Sequence, residues 1–394
     1  MSRILSNHRV TTLLMGLALM STIVALLLFP EESMEAARDG LRLCGNVIVP
    51  SLFPFFVLST LLVDLGLANY FGKALERIMQ PLFHVNGACS SALALGFVGG
   101  YPVGARTALS LYEKGLCSKV EAERMLAFCN NSGPAFILGV VGAGVFSSSR
   151  IGILLYLAHA AASICVGFLF RFYKSGKGSK SIKAPLPQFQ APRLSTAFTS
   201  AVSSAFTSTL NICAFVLFFS VLIRLLFLSG VLPGLAALMG HVFAPFGLDQ
   251  SGAEHLLTGI IEMTSGLWSL SGSGALAGRL SMAAFMLGWA GVSVHCQVLS
   301  FIGSSGLSVR TYVIGKALHG ILSAVFVHFS AGLFALEAPV SAYLAEQVGD
   351  IATIPFHTAL TISVVSVWAV WLLFFLISAR TLKKSRGKKM RPTV

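Results

Sequence analysis

Charge is scarce in this sequence. Of 394 residues, 11% are charged and 55% are hydrophobic, whereas a soluble globular domain carries about 25% charged residues. A chain so poor in charge cannot clothe a water-soluble body, and no long polar stretch offers a separate soluble domain. Paired cysteines are lacking as well. The seven are scattered, no two form a C-x-x-C pair, and most lie among apolar neighbours. That argues against disulfides and a zinc site and leaves small buried hydrophobes. The Walker pattern is missing, as are H-E-x-x-H and a G-x-S-x-G on a strand-turn-helix. No Ser/His/Asp or paired-carboxylate arrangement stands out, so the chain reads neither as an enzyme nor as an ATP-driven machine.

What is present is a series of apolar runs near the length that crosses a bilayer as a helix. The fold class that follows is an all-α polytopic membrane protein. The formal charge is +13, and position decides its meaning. Six of the 28 Lys and Arg lie in residues 171–193 and seven in 380–391, with no Asp or Glu in either segment. These read as cytoplasmic flanks under the positive-inside bias, with anionic lipid as a partner and no nucleic acid.

In order, residues 1–42 give a first, uncleaved span over 13–29 with its N-terminus inside, then an acidic outer loop. A second span covers 47–65, kinked by Pro50 and Pro54, and an amphipathic interfacial segment covers 69–85. Residues 89–111 form a re-entrant hairpin interrupted at GGYP, with a charged, exposed exit over 112–124. A broken helix over 122–146 is interrupted at NNSGP, and a full span over 151–172 closes the first repeat, 43–172. Residues 173–210 are a basic, Pro-rich cytoplasmic linker followed by an amphipathic Ser/Thr-rich segment over 194–210. The pattern then returns in 211–335. A span over 212–228 precedes an amphipathic segment over 231–248 and a hairpin interrupted at EMTSG. A helix broken at GWAGVS and a span over 309–334 complete it. Met125, Ala127 and Phe128 before the first break correspond to Met282, Ala284 and Phe285 before the second. One repeat starts outside and the other inside, which makes an inverted-topology repeat of the kind secondary transporters use. Residues 336–394 add an outer loop, a last span and a basic cytoplasmic tail. This topology puts 22 of the 28 Lys and Arg in the cytoplasm and four outside, Arg38, Arg42, Arg150 and Arg279, with Arg106 and Arg224 inside membrane segments.

The interruptions carry the candidate site, because a freed backbone group in lipid costs several kcal/mol unless protein or cavity water satisfies it. In LGFVGGYPVGAR, Gly99 and Gly100 permit the turn, Tyr101 follows, and Pro102 starts the return half-helix. Arg106, one turn on, is either a solute contact, a snorkelling side chain or the partner of Glu262. In FCNNSGPAF, Asn130, Asn131 and Ser132 supply donors and acceptors and Gly133 restarts the helix at a positive dipole end. Glu262, with Thr264 and Ser265 after it, has three open roles: pairing with Arg106, taking up a coupling proton, or binding Na⁺. Around the last break, Ser293 and His295 are polar candidates, His295 as proton relay or anion donor. His159, His319 and His328 sit on apolar spans and read as packing residues. The coupling ion, H⁺ or Na⁺, and a homo-oligomeric state stay open, and no metal or cofactor is expected.

GFVGGYPVGA, CNNSGPAFI, GIIEMTSG and WAGVSVH, in that order, resemble the nucleoside-recognition Gate domain family, and within it the stage V sporulation branch of endospore-forming Firmicutes. The resemblance implies a fold similar to concentrative nucleoside transporters. It also implies transport of dipicolinic acid, a small organic anion, from the mother cell across the outer forespore membrane. Family members outside sporulation keep a nucleoside or another small polar solute as the alternative, and a non-transporting gating or scaffold component of a membrane complex is a further one.

Overall fold

The computed structural model describes residues 8–64, 77–174, 194–271 and 275–333, all helices and their connections. The amphipathic stretch over 69–76, the basic linker over 175–193 and the last span with its tail lie outside these residues. Four of the described helices are long and apolar enough to cross a membrane, or up to six if each sharply bent pair is one span.

The run expected as the first span is helical, α1, His8–Leu28. The expected outer loop is instead a helix, α2, Pro30–Leu43, bent by 98° from the first. The capping logic was legible. Pro30 opens the first turn, Glu31 and Glu32 complement the N-terminal dipole end, and Arg42 the C-terminal one. Its Ser33, Ala36 and Gly40 face is buried, with Gly40 against Leu217 and Ser220. One wide π turn leads into α3, Val49–Asp64.

After α4, Arg77–Phe83, the first hairpin is α5, Ser90–Gly99, and α6, Val103–Glu113. The charged exit begins as the expected exposed turn, at Glu113, Lys114 and Gly115, but its second half does not stay at the surface. Ser118 caps α7, Lys119–Phe128, in a reciprocal box with Glu121. Glu121, Glu123 and Arg124 are each at most 2% exposed. Arg124 donates two bonds to the Tyr173 carbonyl and one to that of His84. Glu123 accepts from Tyr173 Oη, Lys174 Nζ and the Ser308 amide. Mixed charge here ties the ends of four helices together. Replacing Arg124 by Met strands two half-buried carbonyls, at a cost of about 1–3 kcal/mol; a fall in Tm of the purified protein of a few degrees is the expected reading.

Beyond the break, Ala135–Val145 winds as a π-helix, and α8 covers Ser149–Phe170. The two segments expected over 194–210 and 212–228 are one helix, α9, Leu194–Leu228, of 35 residues. At about 1.5 Å per residue it exceeds a hydrocarbon core of about 30 Å. The second half follows with α10, Val231–Phe243. Its hairpin is α11, Gln250–Ile261, and α12, Met263–Ser269. The second broken helix is α13, Leu276–Trp289, and α14, Gly291–Ile302. α15, Val309–Leu333, ends the described chain.

α15 is the hub, packing against α13, α8 and α7. Apolar side chains gain little by leaving lipid for each other, so membrane helices pack through small residues. Gly315 lies on the Ala127 backbone, and a Cβ on Gly288 would stand 2.6 Å from the Gly320 Cα.

Candidate solute site

All four interruptions meet at one small cavity. Its wall holds Gly100 and Tyr101 from the first hairpin, Ser132 and Gly133 from the first broken helix, Glu262 and Thr264 from the second hairpin, and Ser293 from α14. Phe55 and Phe56 of α3, Phe136, and Phe215 of α9 close it with rings. Each hairpin tip leans on the break that follows it. Gly100 and Gly133 meet backbone to backbone, and a Cβ on Gly291 would stand 2.9 Å from the Met263 amide nitrogen. Both Gly100 and Gly291 hold positive φ, 72° and 78°, which other residues resist. Lower in the first hairpin, Gly96 and Gly104 straddle the Cys129 carbonyl.

The carboxylate of Glu262 is employed by its own hairpin. It caps α12, accepting from the Thr264 amide at 3.0 Å and the Ser265 amide at 2.6 Å. It is 3% exposed and contributes the one charged side chain among the described residues of the cavity wall. Arg106 is elsewhere. It is exposed and lines a larger cleft with Gly99, Pro102 and Gln297. A half-helix pointing away from the tip carries it to the cleft and away from the cavity wall that holds Glu262. The hydroxyl face of α9 lines it too, with Ser200, Ser203, Ser204, Thr207, Ser208 and Asn211. That i, i+3, i+4, i+7 spacing is one helix stripe, so the Ser/Thr-rich segment expected at the interface lines this cleft. Cavity and cleft lie side by side, with Phe56, Tyr101, Ile212, Phe215 and Gln297 lining both.

The remaining candidates point elsewhere. Asn130 and Asn131 are fully buried and neither lines the cavity. Ser265 opens on a separate cleft with Glu35, Asp39 and Arg224. His295 turns inward to Tyr312 Oη, 3.0 Å from its Nδ1, with the Trp289 ring beside it. Among the described residues the Asn131 amide and Ser132 Oγ have no hydrogen-bond partner, an uncommon state for buried polar atoms.

Sequence reasoning passed over Lys316, which the topology places among the cytoplasmic charges. It is fully buried in α15, with Nζ 2.9 Å from Tyr101 Oη and 2.9 Å from the Asn130 carbonyl. Its third neighbour is His319 Nδ1 at 3.2 Å, and the His319 ring lies 4.3 Å from that of His159. Two histidines read as separate packing residues thus belong to one polar cluster behind the first break. The available signal was a Lys inside an apolar span with a His three residues on, because intramembrane ionisable residues are functional candidates by default.

The comparisons with known proteins agree with this architecture. Residues 47–176 match the Gate family, described as nucleoside recognition. Sporulation integral membrane protein YlbJ of Bacillus subtilis strain 168 is 32% identical over 336 residues, covering 81% of this chain and 82% of that protein. The chain belongs to this Gate family, on its YlbJ-like sporulation branch. For this Gate protein the similar solved structures supply the fold. A CNTnw variant in an intermediate state aligns with a TM-score of 0.57 at 16% identity, covering 85% of this chain and 90% of the other. CNTnw in an inward-facing substrate-bound state aligns at 0.53 and 15% identity, covering 84% and 88%. The Gate protein is thus an all-α polytopic membrane protein with broken spans, structurally similar to the CNT-fold transporters. Family and fold are non-enzymatic.

Proposed function

We propose that this Gate protein carries a small, neutral, ring-bearing polar solute of nucleoside type across the membrane. The observation behind the reading is the wall where the four breaks meet: aromatic rings, hydroxyls, freed backbone ends and one carboxylate, with no basic side chain among the described residues. Rings stack on rings, and sugar hydroxyls donate to Glu262. A dianion would instead lie against that carboxylate. Size assigns the parts. The cavity holds about 50 Å³ and the adjoining cleft about 770 Å³, whereas small-molecule sites run to roughly 300–1,000 Å³. The solute's body therefore occupies the cleft beside the cavity, with one end reaching the breaks.

A second reading, a small organic anion such as dipicolinate, draws on the sporulation relative and on Arg106, which lines the same cleft as the hydroxyl stripe. Uptake of radiolabelled uridine and of radiolabelled dipicolinate by purified protein in liposomes separates the two. On the first reading uridine accumulates, and Arg106→Ala changes its uptake by less than about tenfold, which is 1.4 kcal/mol. Dipicolinate uptake lost in Arg106→Ala supports the second. Uptake of neither solute favours a gating or scaffold role.

Cys296 tests the path itself. Of the seven cysteines it is the exposed one, and it lies on the cleft beside Gln297. A membrane-impermeant maleimide is expected to label the wild type and not Cys296→Ser, and the transported solute should slow the labelling. Labelling at an unchanged rate under saturating solute would put the path elsewhere.

A further inference from the structure

The state of Lys316 follows from its neighbours. His319 Nε2 lies 2.9 Å from the His159 carbonyl, which only accepts, so Nε2 carries the hydrogen and Nδ1 is left as an acceptor. His159 Nε2 accepts from the Ser132 amide at 3.1 Å, so this ring is neutral too. Tyr101 Oη passes its own hydrogen to the Leu287 carbonyl at 2.7 Å and accepts from Lys316. With the Asn130 carbonyl, three acceptors face three N–H bonds. With His319 neutral, these neighbours match an ammonium at Lys316 with every donor used.

Among the described residues no carboxylate forms an ion pair with it. A lone cation buried in this way is costly unless something else balances it. Here the balance is backbone. α7 ends at Phe128, and the Asn130 carbonyl is freed two residues on, at the negative end of that helix. In transporters built on discontinuous helices, unwound carbonyls and half-helix C-terminal ends hold the coupling cation. In this chain that position carries an amine supplied by the neighbouring span.

We propose that Lys316 is a tethered cation: it permanently fills the cation position at the first helix break, so that the break holds its shape without a bound alkali ion. A cation attached to the chain cannot be exchanged with the medium in each cycle. A sodium gradient therefore has no purchase at this position, and transport proceeds in sodium-free buffer. The inference does not depend on which solute is carried.

The test is thermal unfolding of the purified full-length protein in sodium chloride against choline chloride at constant ionic strength. The wild type is expected to unfold at the same Tm throughout the series; a saturable, sodium-specific rise overturns the proposal. Lys316→Ala leaves three acceptors without a donor, and its Tm is expected to fall by roughly 5–10 °C and to rise again with sodium over choline. An unchanged Tm in this variant, or a lowered one that is identical in both salts, also overturns it. If the variant cannot be recovered from the membrane, the wild-type series decides alone. No solute enters this assay, so it is separate from the transport reading. Absence of uridine and dipicolinate uptake in every buffer would sink that reading and leave the sodium series standing.

Discussion

Glu262→Gln is expected to cut solute uptake by roughly 10- to 150-fold, the factor that a lost hydrogen bond to a charged acceptor of about 1.5–3 kcal/mol supplies, and to leave the protein folded. The separation is possible because Glu262 does two jobs with different requirements. As the cap of α12 it accepts from the Thr264 amide at Oε1 and from the Ser265 amide at Oε2, and glutamine, with one carbonyl oxygen, keeps one of the two bonds, enough to start the helix. As the charged group on the cavity wall it offers a solute hydroxyl a carboxylate, which glutamine does not replace. Glu262→Ala removes both jobs. It should lose uptake and about 1 kcal/mol or more of stability as well. Uptake by Glu262→Gln equal to that of the wild type would reduce Glu262 to a structural cap, and the neutral-solute reading would lose its main contact.

Gly96→Ala and Gly104→Ala are expected to cost the fold itself. A Cβ at either position would overlap the Cys129 carbonyl oxygen, a backbone atom that no rotamer change can move aside. The first hairpin would have to separate from the first broken helix, and the cavity between them would come apart. Overpacking against a side chain typically costs about 1–3 kcal/mol; against backbone on both sides of one carbonyl the cost lies at or beyond the upper end. Size-exclusion profiles of detergent extracts should show little or no monodisperse protein for either variant. Gly278→Ala is the control, because Gly278 has nothing within 4 Å of its would-be Cβ and sits inside α13, where Ala is the better helix former by about 1 kcal/mol. Wild-type profiles and wild-type Tm for Gly96→Ala and Gly104→Ala would mean that hairpin and broken helix do not approach as closely as described.

The breaks were legible because a helix interruption is a local event. GGYP, NNSGP and EMTSG place Gly, Pro, amides and hydroxyls where an apolar helix has no use for them, and each coincides with an observed gap between helices. GWAGVS hides a subtler break, a pair of left-handed residues at Ala290 and Gly291. α2 was legible too, through Pro30, Glu31, Glu32 and Arg42, but an acidic composition between two spans outweighed the capping pattern. The unity of α9 was not, since its first half is polar enough to read as a separate interfacial element until the cleft it lines is known.

Arg106, Glu123 and Lys316 illustrate the remainder. By position along the chain, the first is deep, the second exposed and the third cytoplasmic. Folded, the first lines an open cleft and the other two are buried. Residue type and spacing were enough to establish a membrane-embedded helical chain and where its helices stop, since the cost of an interruption is incurred within a few neighbouring residues. Depth and partnership are set across the whole chain. Lys316 meets Tyr101 and Asn130 at separations of 215 and 186 residues, and no local pattern specifies which distant carbonyl will balance a buried charge.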